Sequence, residues 1–165
     1  MIREATVDDA ARIAEIEVFS SRYAYGNIVS NECLYNDLSV ERRMPVHAEW
    51  IAEKRFEEYV FEDPDTGMIQ GMMGIGLCED DDKTGAFELH FLYVDPDHVR
   101  KGIGTQMLQF FEHAGKNKGC TEFVVWVLEE NELGRRFYEK NDYRSDGKEK
   151  IFKRWNKREI RYVKR

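Results

Sequence analysis

The sequence predicts an α+β fold, that is, an α/β mixed sheet with helices on both faces. Three observations support this prediction. Hydrophobic periodicity and turn residues give the element order βααβββαβαββ, which suits one mixed sheet. Residues 123–128 are almost entirely apolar, as expected for a strand that is buried on both faces. The length of 165 residues suits one domain with a substantial core, so we expect a single domain over residues 1–165.

The N-terminal part of the chain begins with a strand and a helix. Residues 2–5 form the strand, and Thr6 with Asp9 gives a capping-box-like start for a helix that reaches about Ser21. Residues 23–35 are polar and aromatic without a clean periodicity, so the pattern predicts no element there.

A second helix and a hairpin follow. Residues 36–53 have helical periodicity, although Pro45 among them predicts a kink or two shorter helices. Residues 59–77 read as a hairpin, because residues 63–67 carry turn chemistry. Three glycines in its second arm indicate a bulge or close packing. They are Gly71, Gly74 and Gly76.

The rest of the chain alternates strands with helices after a second turn at residues 80–85. The predicted elements are a central strand at 86–94, a helix at 103–118, the buried strand at 123–128, a helix at 132–140, a strand that begins at Tyr143 and a half-exposed strand at 159–164.

The charge of the chain is unevenly distributed. The net charge is −7, but residues 133–165 hold 13 Lys and Arg against 5 Asp and Glu, a balance of +8. Residues 1–132 therefore hold 12 basic and 27 acidic residues, a balance of −15. An acidic body disfavours nucleic acid as a partner and favours a cationic one, while the basic segment suits a polyphosphate. The alternative is that both segments are simply solvated surfaces.

Other sequence features exclude several classes of protein. No run approaches the roughly 20 apolar residues of a membrane span, and the N-terminus lacks the apolar segment of a signal peptide. Cys33, Cys78 and Cys120 are scattered and never form C-x-x-C, which predicts reduced thiols in a cytoplasmic protein. The four histidines do not fall at metal-ligand spacings, so we expect no metal site.

Residues 91–108, FLYVDPDHVRKGIGTQML, predict an anion-binding turn. An apolar strand breaks at Asp95-Pro96 and passes through Gly102 and Gly104 into a helix. The first N–H groups of a helix lack intrahelical partners and lie at its positive end, and glycines let a phosphate approach the backbone. Arg100 and Lys101 add two cations, so we interpret the turn as a site for a pyrophosphate.

The spacing of the glycines excludes two common phosphate sites. No Lys-Ser or Lys-Thr follows them, as a P-loop requires. Met107 stands where a dinucleotide-binding motif has its third glycine, and Glu122 would begin the next strand rather than end it. The remaining pattern at residues 99–105, VRKGIGT, closely resembles motif A of the GCN5-related N-acetyltransferases (GNAT), in which [QR]-x-x-G-x-[GA] binds the acetyl-CoA pyrophosphate. Val99 stands at the [QR] position.

A second pattern of the same family lies at residues 128–143, LEENELGRRFYEKNDY. It looks like N-x-x-[AG]-x-x-[FL]-Y-x-[KR]-x-G-[FY], with Asp142 where glycine is usual. The resemblance extends from about residue 1 to residue 164, strongly over 88–143 and weakly before Tyr59. It implies a GNAT-like fold with a central mixed, mostly antiparallel sheet, and acetyl-CoA (coenzyme A) as the cofactor.

The resemblance also implies a cofactor-binding set. The backbone of the central strand pairs with the pantetheine arm, and an N–H near Val94 polarises the thioester carbonyl. Asn131 either orients the pantetheine or only caps a helix. Arg135 and Lys140 either reach the cofactor phosphates or are solvated. The expected set is Leu92, Tyr93, Val94, Arg100, Lys101, Gly102, Ile103, Gly104, Thr105, Asn131, Arg135 and Lys140.

Two catalytic residues are expected. Tyr138, with a phenol pKa near 10, is protonated at neutral pH and is the candidate acid for the departing thiolate; the alternative is a ring that only packs on the sheet. Glu88 on the central strand is the candidate base, because an alkylammonium with a pKa near 10.4 must lose a proton. His90, two residues further on, competes for this role, and Glu88 as a salt-bridged sheet residue is the alternative.

We therefore expect an N-acetyltransferase that transfers an acetyl group directly to a primary amine of a small-molecule or peptide acceptor. The alternatives are a non-catalytic acyl-CoA-binding or regulatory domain and a protein N-terminal acetyltransferase. We expect no nucleic acid or membrane partner, and the sequence leaves a homodimer open. An acidic and aromatic acceptor side favours a cationic amine. Besides Glu88, its predicted residues are Glu32, Asp37, Glu41, Glu49, Tyr23, Tyr25, Tyr35 and Trp50. The alternative is that these carboxylates face bulk water.

Overall fold

The computed structural model describes all residues from Met1 to Arg165, and its core is one seven-stranded sheet. The strands are β1 (Ile2–Glu4), β2 (Glu57–Glu62), β3 (Ile69–Leu77), β4 (Phe87–Val94), β5 (Phe123–Leu128), β6 (Arg144–Phe152) and β7 (Lys157–Lys164). The helices are α1 (Ala10–Tyr25), α2 (Val40–Glu53), α3 (Ile103–Asn117) and α4 (Glu132–Lys140).

The sheet is mixed and mostly antiparallel, as predicted. Its strand order is β1-β2-β3-β4-β5-β7-β6, and the pair β4–β5 is the parallel one. The last strand in the chain, β7, therefore lies between β5 and β6 rather than at the edge. The predicted element order is confirmed.

The helical layer differs from the prediction in three ways. The helix α1 continues past Ser21 to Tyr25, and a π-helical segment at Glu32–Asp37 occupies part of the region without periodicity. The helix α2 begins after Ser39, whose Oγ accepts a hydrogen bond from Arg42 N, and it continues through Pro45 as one element. Two shorter helices are therefore not formed.

The glycines of β3 accommodate both a bulge and close packing, as expected. Gly74 pairs with Phe91 and Ile75 pairs with Leu89, so His90 is an extra residue on β4. A Cβ at Gly74 would lie only 2.3 Å from the Phe91 ring, which shows why this position excludes a side chain.

The sheet opens between its two parallel strands. Residues 87–89 of β4 pair with residues 123–125 of β5, and beyond Leu89 the two strands are no longer paired. The bulge at His90 lies where this pairing ends. A gap therefore separates the C-terminal ends of β4 and β5.

The two faces of the sheet carry separate cores. On the α3 face, Met107, Phe111 and Tyr138 from α3 and α4 pack against the sheet. On the α1 face, Ile13 and Ile16 from α1 pack against Met72. None of the helices has both the length and the apolar character needed to cross a bilayer.

Candidate active site

A cavity of about 1050 Å³ extends through the gap between β4 and β5. Both strands line it over residues 89–94 and 125–128. On the α3 face its wall is formed by the N-terminus of α3 and by α4, and on the α1 face by α1, α2 and the hairpin of β6 and β7. One continuous space thus joins the two faces of the sheet, and we call its α1-face part the acceptor end.

The N-terminal turn of α3 offers free backbone donors to this cavity. Arg100 and Gly102 have positive φ angles of 62° and 80°, and Gly102 is the N-cap residue. The first intrahelical bond runs from Gln106 N to Gly102 O (3.0 Å), so the preceding N–H groups, including those of Gly104 and Thr105, have no helical acceptor. Such a turn is an anion site.

Gly104 leaves room beside these donors. A Cβ built there would meet Phe137 at 3.6 Å and Val94 at 3.8 Å, which are ordinary contacts. Arg100, Ile103 and Thr105 line the cavity together with the two glycines, whereas Lys101 does not.

The backbone of β4 presents hydrogen-bonding groups to the gap. Asp95 N donates to Gln70 O on β3 (2.9 Å). Successive residues of a strand direct their backbone N–H and C=O groups to opposite sides. Tyr93, two residues before Asp95, therefore also pairs with β3, whereas the backbone groups of Leu92 and Val94 face the gap. Val94 O accepts a hydrogen bond from Ser20 Oγ (2.7 Å), which leaves Val94 N–H at the gap.

Residues of the second sequence pattern also line the cavity, among them Asn131 and Tyr138. Asn131 Oδ1 accepts a hydrogen bond from Gly134 N (3.0 Å), so Asn131 caps α4. Tyr138 is 8% exposed, and no protein group accepts a hydrogen bond from its phenol. Burial, together with the nearby Tyr25, raises the pKa of Tyr138, so its proton is retained at neutral pH.

The comparisons with known proteins agree with these features. The model of the Acetyltransferase (GNAT) family matches residues 27–143. The chain belongs to this family.

Relatives of this GNAT chain match it over nearly its whole length. The spermidine N(1)-acetyltransferase of Thermoplasma acidophilum is 25% identical over 166 residues, covering 93% of this chain and 95% of that protein. The crystal structure of PaiA N-acetyltransferase from Thermoplasma acidophilum in complex with coenzyme A has a TM-score of 0.79 at 20% identity, covering 98% and 96% of the chains. The structure of yncA from Salmonella typhimurium with acetyl-CoA has a TM-score of 0.69 at 20% identity, covering 100% and 92%.

Glu88 and His90 of the GNAT chain are neighbours, but they differ in their position relative to the cavity. Glu88 is 8% exposed and does not line the cavity, whereas His90 does. His90 Nδ1 lies 3.3 Å from Glu88 Oε1. Burial opposes the charge of Glu88, but the hydrogen bond and charge of His90 hold the pKa of Glu88 below its ordinary value. His90 therefore lines the cavity, and the Glu88 carboxylate lies next to its imidazole.

Arg135 does not reach the cavity. Its Nε donates to Tyr162 Oη (3.0 Å) and its guanidinium also donates to Glu129 O (3.1 Å), on the other side of α4. Arg136 and Lys140 line the cavity instead. The structure therefore does not support the expectation that Arg135 reaches cofactor phosphates, because two of its guanidinium nitrogens donate within the protein and its side chain does not line the cavity.

The largest feature that the sequence did not predict is a buried ion network at the acceptor end. Glu17 Oε2 accepts hydrogen bonds from Arg43 Nε (2.6 Å) and His47 Nε2 (2.8 Å), and Glu17 Oε1 lies 3.4 Å from the Arg154 guanidinium. On its other side, His47 Nδ1 lies 3.5 Å from Glu58 Oε2. We call these five residues the Glu17 network.

The network sets the protonation states of its members. Burial opposes the charge of Glu17, but His47 and Arg43 hold its pKa below the ordinary value. Burial likewise opposes the charge of His47, yet Glu17 and Glu58 raise its pKa. His47 therefore favours the imidazolium form between two carboxylates.

The predicted acidic side is only partly present at the acceptor end. Tyr23, Tyr25 and Trp50 line the cavity, but Tyr35 instead lies under Arg22, 4.6 Å from its guanidinium. Four helix carboxylates that were predicted to face the acceptor do not line it. They are Glu32, Asp37, Glu41 and Glu49. The carboxylates that do line it are Glu17 and Glu159.

Proposed function

We propose that this protein transfers an acetyl group from acetyl-CoA directly to a primary amine of a small-molecule or peptide acceptor. The observation that carries this proposal is the single cavity that passes between β4 and β5 and connects the N-terminal turn of α3 with the acceptor end. Membership of the GNAT family supports acetyl transfer. The coenzyme A and acetyl-CoA complexes of proteins with the same fold support the cofactor.

Coenzyme A suits the residues of the cavity. The free N–H groups of residues 103–105 and the open space at Gly104 suit its pyrophosphate, and Arg100, Arg136 and Lys140 supply cations. The backbone groups of Leu92 and Val94 that face the gap suit the amide groups of the pantetheine. The acetylated cofactor, when bound, supplies a thioester as the acyl donor.

The protein groups then have separate tasks. Val94 N–H donates to the thioester oxygen as negative charge develops there. His90 accepts a proton from the acceptor ammonium, directly or through water, and Glu88 orients the imidazole and stabilises its positive charge. Tyr138 donates a hydrogen bond to the sulfur; the raised pKa of its phenol keeps that proton in place until the thiolate forms.

A cationic acceptor is supported by one relative. The Thermoplasma acidophilum protein that is 25% identical to this chain is a spermidine N(1)-acetyltransferase, and spermidine is a polyamine. We therefore propose a cationic amine as the acceptor.

The test is an acceptor screen that follows release of free CoA. Polyamines, aminoglycosides, amino acids, and peptides with a free N-terminus or a lysine side chain are each incubated with acetyl-CoA and the protein. We expect CoA release with at least one primary amine and a product mass increased by one acetyl group. Tight CoA binding by calorimetry without turnover of any amine would instead indicate a non-catalytic acyl-CoA-binding domain. Turnover restricted to peptide N-termini would indicate a protein N-terminal acetyltransferase.

A further inference from the structure

The two carboxylates at the acceptor end have different surroundings. Glu17 is held by Arg43, His47 and Arg154, so its charge is already balanced within the protein. Glu159 lines the same cavity but forms no ion pair with a lysine, arginine or histidine; Lys150, its partner in register on β6, acts on it only through longer-range charge. The Lys150 ammonium lies over the Trp126 ring at 4.1 Å. Glu159 is therefore the unpaired carboxylate of the cavity.

Aromatic rings line the same cavity as Glu159. The Tyr25 and Trp155 rings meet edge to face with centroids 5.1 Å apart, and the Trp155 and Phe152 rings meet with centroids 5.2 Å apart. All three rings line the cavity together with Glu159. Burial and the negative charge of Glu159 raise the pKa of Tyr25 to about 12, as expected if the two side chains are neighbours. A carboxylate beside aromatic faces is a favourable environment for an alkylammonium.

The surroundings of Glu159 also explain what the carboxylate gains from a ligand. Burial raises its pKa, and the charge of Glu88 acts in the same direction, whereas Lys150 opposes this. An ionised carboxylate that is partly removed from water and unpaired is unfavourable, and a bound cation removes that penalty.

The reacting amine cannot be this cation at the moment of transfer. It must be neutral in order to attack, so a carboxylate contributes little Coulomb energy to its binding in that form. The stabilisation that Glu159 offers therefore applies to a second amino group that keeps its proton throughout the reaction.

We propose that Glu159 binds a non-reacting ammonium group of the acceptor. This proposal rests on the proposed acetyl transfer, and it narrows the acceptor to a diamine or polyamine. The Tyr25, Phe152 and Trp155 rings enclose the alkyl chain and the ammonium. Specificity thus comes from β7 and not from the exposed carboxylates of the helices.

The test compares α,ω-diamines with monoamines of the same chain length, assayed with the full-length protein and two variants. Glu159→Gln removes the charge at nearly constant shape. Glu149→Gln makes the same charge change on β6, where Glu149 is exposed and pairs with Arg158 at 3.4 Å. Arg158 neighbours Glu159 on β7, so its side chain lies on the opposite face of the sheet. Calorimetry with CoA checks that each variant retains the cofactor site.

We expect the parent protein to prefer the diamines. Glu159→Gln should lower kcat/KM for the diamine by roughly 10- to 100-fold, mainly through KM, the range expected from losing a hydrogen bond to a charged group. The monoamine rates should change little, and Glu149→Gln should behave like the parent. A second variant, Glu159→Asp, keeps the charge and should retain part of the preference.

Two results would overturn the assignment of Glu159. One is an unchanged preference for diamines in Glu159→Gln, and the other is an equal loss of kcat with diamines and monoamines, which would indicate a role in proton transfer. A parent protein that acetylates no amine would overturn the proposed function itself, and this outcome is seen without any variant.

Discussion

Replacing His47 with leucine should destabilise the protein more than a typical buried substitution. His47 is 1% exposed and lies between Glu17 and Glu58, at 2.8 Å and 3.5 Å. Leucine fills a similar volume but removes the positive charge from the centre of the Glu17 network. Glu17 keeps Arg43 and Arg154, whereas Glu58 loses the one cation within 4 Å of it.

The magnitude follows from the burial of Glu58. Its side chain is 3% exposed, and its Oε1 already lacks a hydrogen-bond partner. Removing one partner of a buried ion pair typically costs about 3–5 kcal/mol, because the other charge stays buried without compensation. For a chain of 165 residues this corresponds to a decrease in Tm of roughly 6–20 °C, at about 2–4 °C per kcal/mol.

Chemical denaturation of a double-mutant cycle measures the effect. His47→Leu and Glu58→Leu are compared singly and together with the parent. The double variant should recover much of the loss, since replacing a buried ion pair with apolar side chains is often close to neutral. A loss below about 1 kcal/mol in His47→Leu would refute the reasoning, as would a double variant that loses the sum of both single effects.

The same network predicts a pH dependence. The pKa of His47 is raised, so its contribution to stability is complete below the ordinary value of 6.5 and is lost as pH rises through the folded-state value. The pKa of Glu17 is lowered, so its contribution is present above the ordinary value of 4.5 and is lost as pH falls through the folded-state value. The Tm difference between the parent and His47→Leu should therefore be largest between these two ordinary values and should shrink at alkaline pH.

Two further predictions concern the α3 face of the cavity. Tyr138→Phe should lower turnover by roughly 10²–10⁴-fold with CoA affinity nearly unchanged. Tyr143 is buried and lies outside the cavity, so the control Tyr143→Phe should keep the turnover of the parent. Similar rates for both variants would leave Tyr138 as a packing residue only. Gly104→Val should abolish most CoA binding in calorimetry. Its Tm should not fall, because a Cβ there makes only ordinary contacts with Phe137 and Val94. Equal CoA affinity of the variant and the parent would contradict the assignment of the α3 turn.

The sequence predicted the elements whose geometry is determined by residues that are close together in the chain. The turn at Gly102 and Gly104 and the helix after it are consecutive in the chain, so their residue types determine their geometry. The alternation of apolar residues and the turn residues likewise predicted β3, which contains Gly74, and its neighbours β2 and β4. The predicted backbone contact of Tyr93 with the cofactor does not agree with the structure, in which the backbone of Tyr93 pairs with β3. The sequence of β4 does not show which of its residues direct their N–H groups toward β3.

Helical spacing would have distinguished the cations of α4. Residues four apart share a helix face, so Arg136 and Lys140 lie together, whereas Arg135 shares its face with Glu139. Applying this spacing identifies Arg136 as the partner of Lys140 in the cavity wall.

The acceptor end could not be predicted in this way. Arg154 meets Glu17 across 137 positions, and Trp155 reaches the end of α1 through a hairpin whose direction no local pattern determines. The helix carboxylates are expected to face the acceptor because residues 1–132 carry a negative net charge and because these carboxylates lie in segments expected to line the acceptor side. Net charge shows how many carboxylates a segment holds but not which of them line a cavity.

The position of β7 inside the sheet has a consequence for how the molecule assembles. Phe123 on β5 pairs with Lys164, and β6 joins the sheet only through β7. Glu159 and its aromatic neighbours can therefore take their positions only after β7 has left the ribosome, whereas β4, the α3 turn and β5 emerge earlier. Contacts over such long sequence separations carry a larger entropy cost of loop closure and form slowly. During synthesis the residues proposed to hold the acyl donor therefore emerge well before those proposed to select the amine.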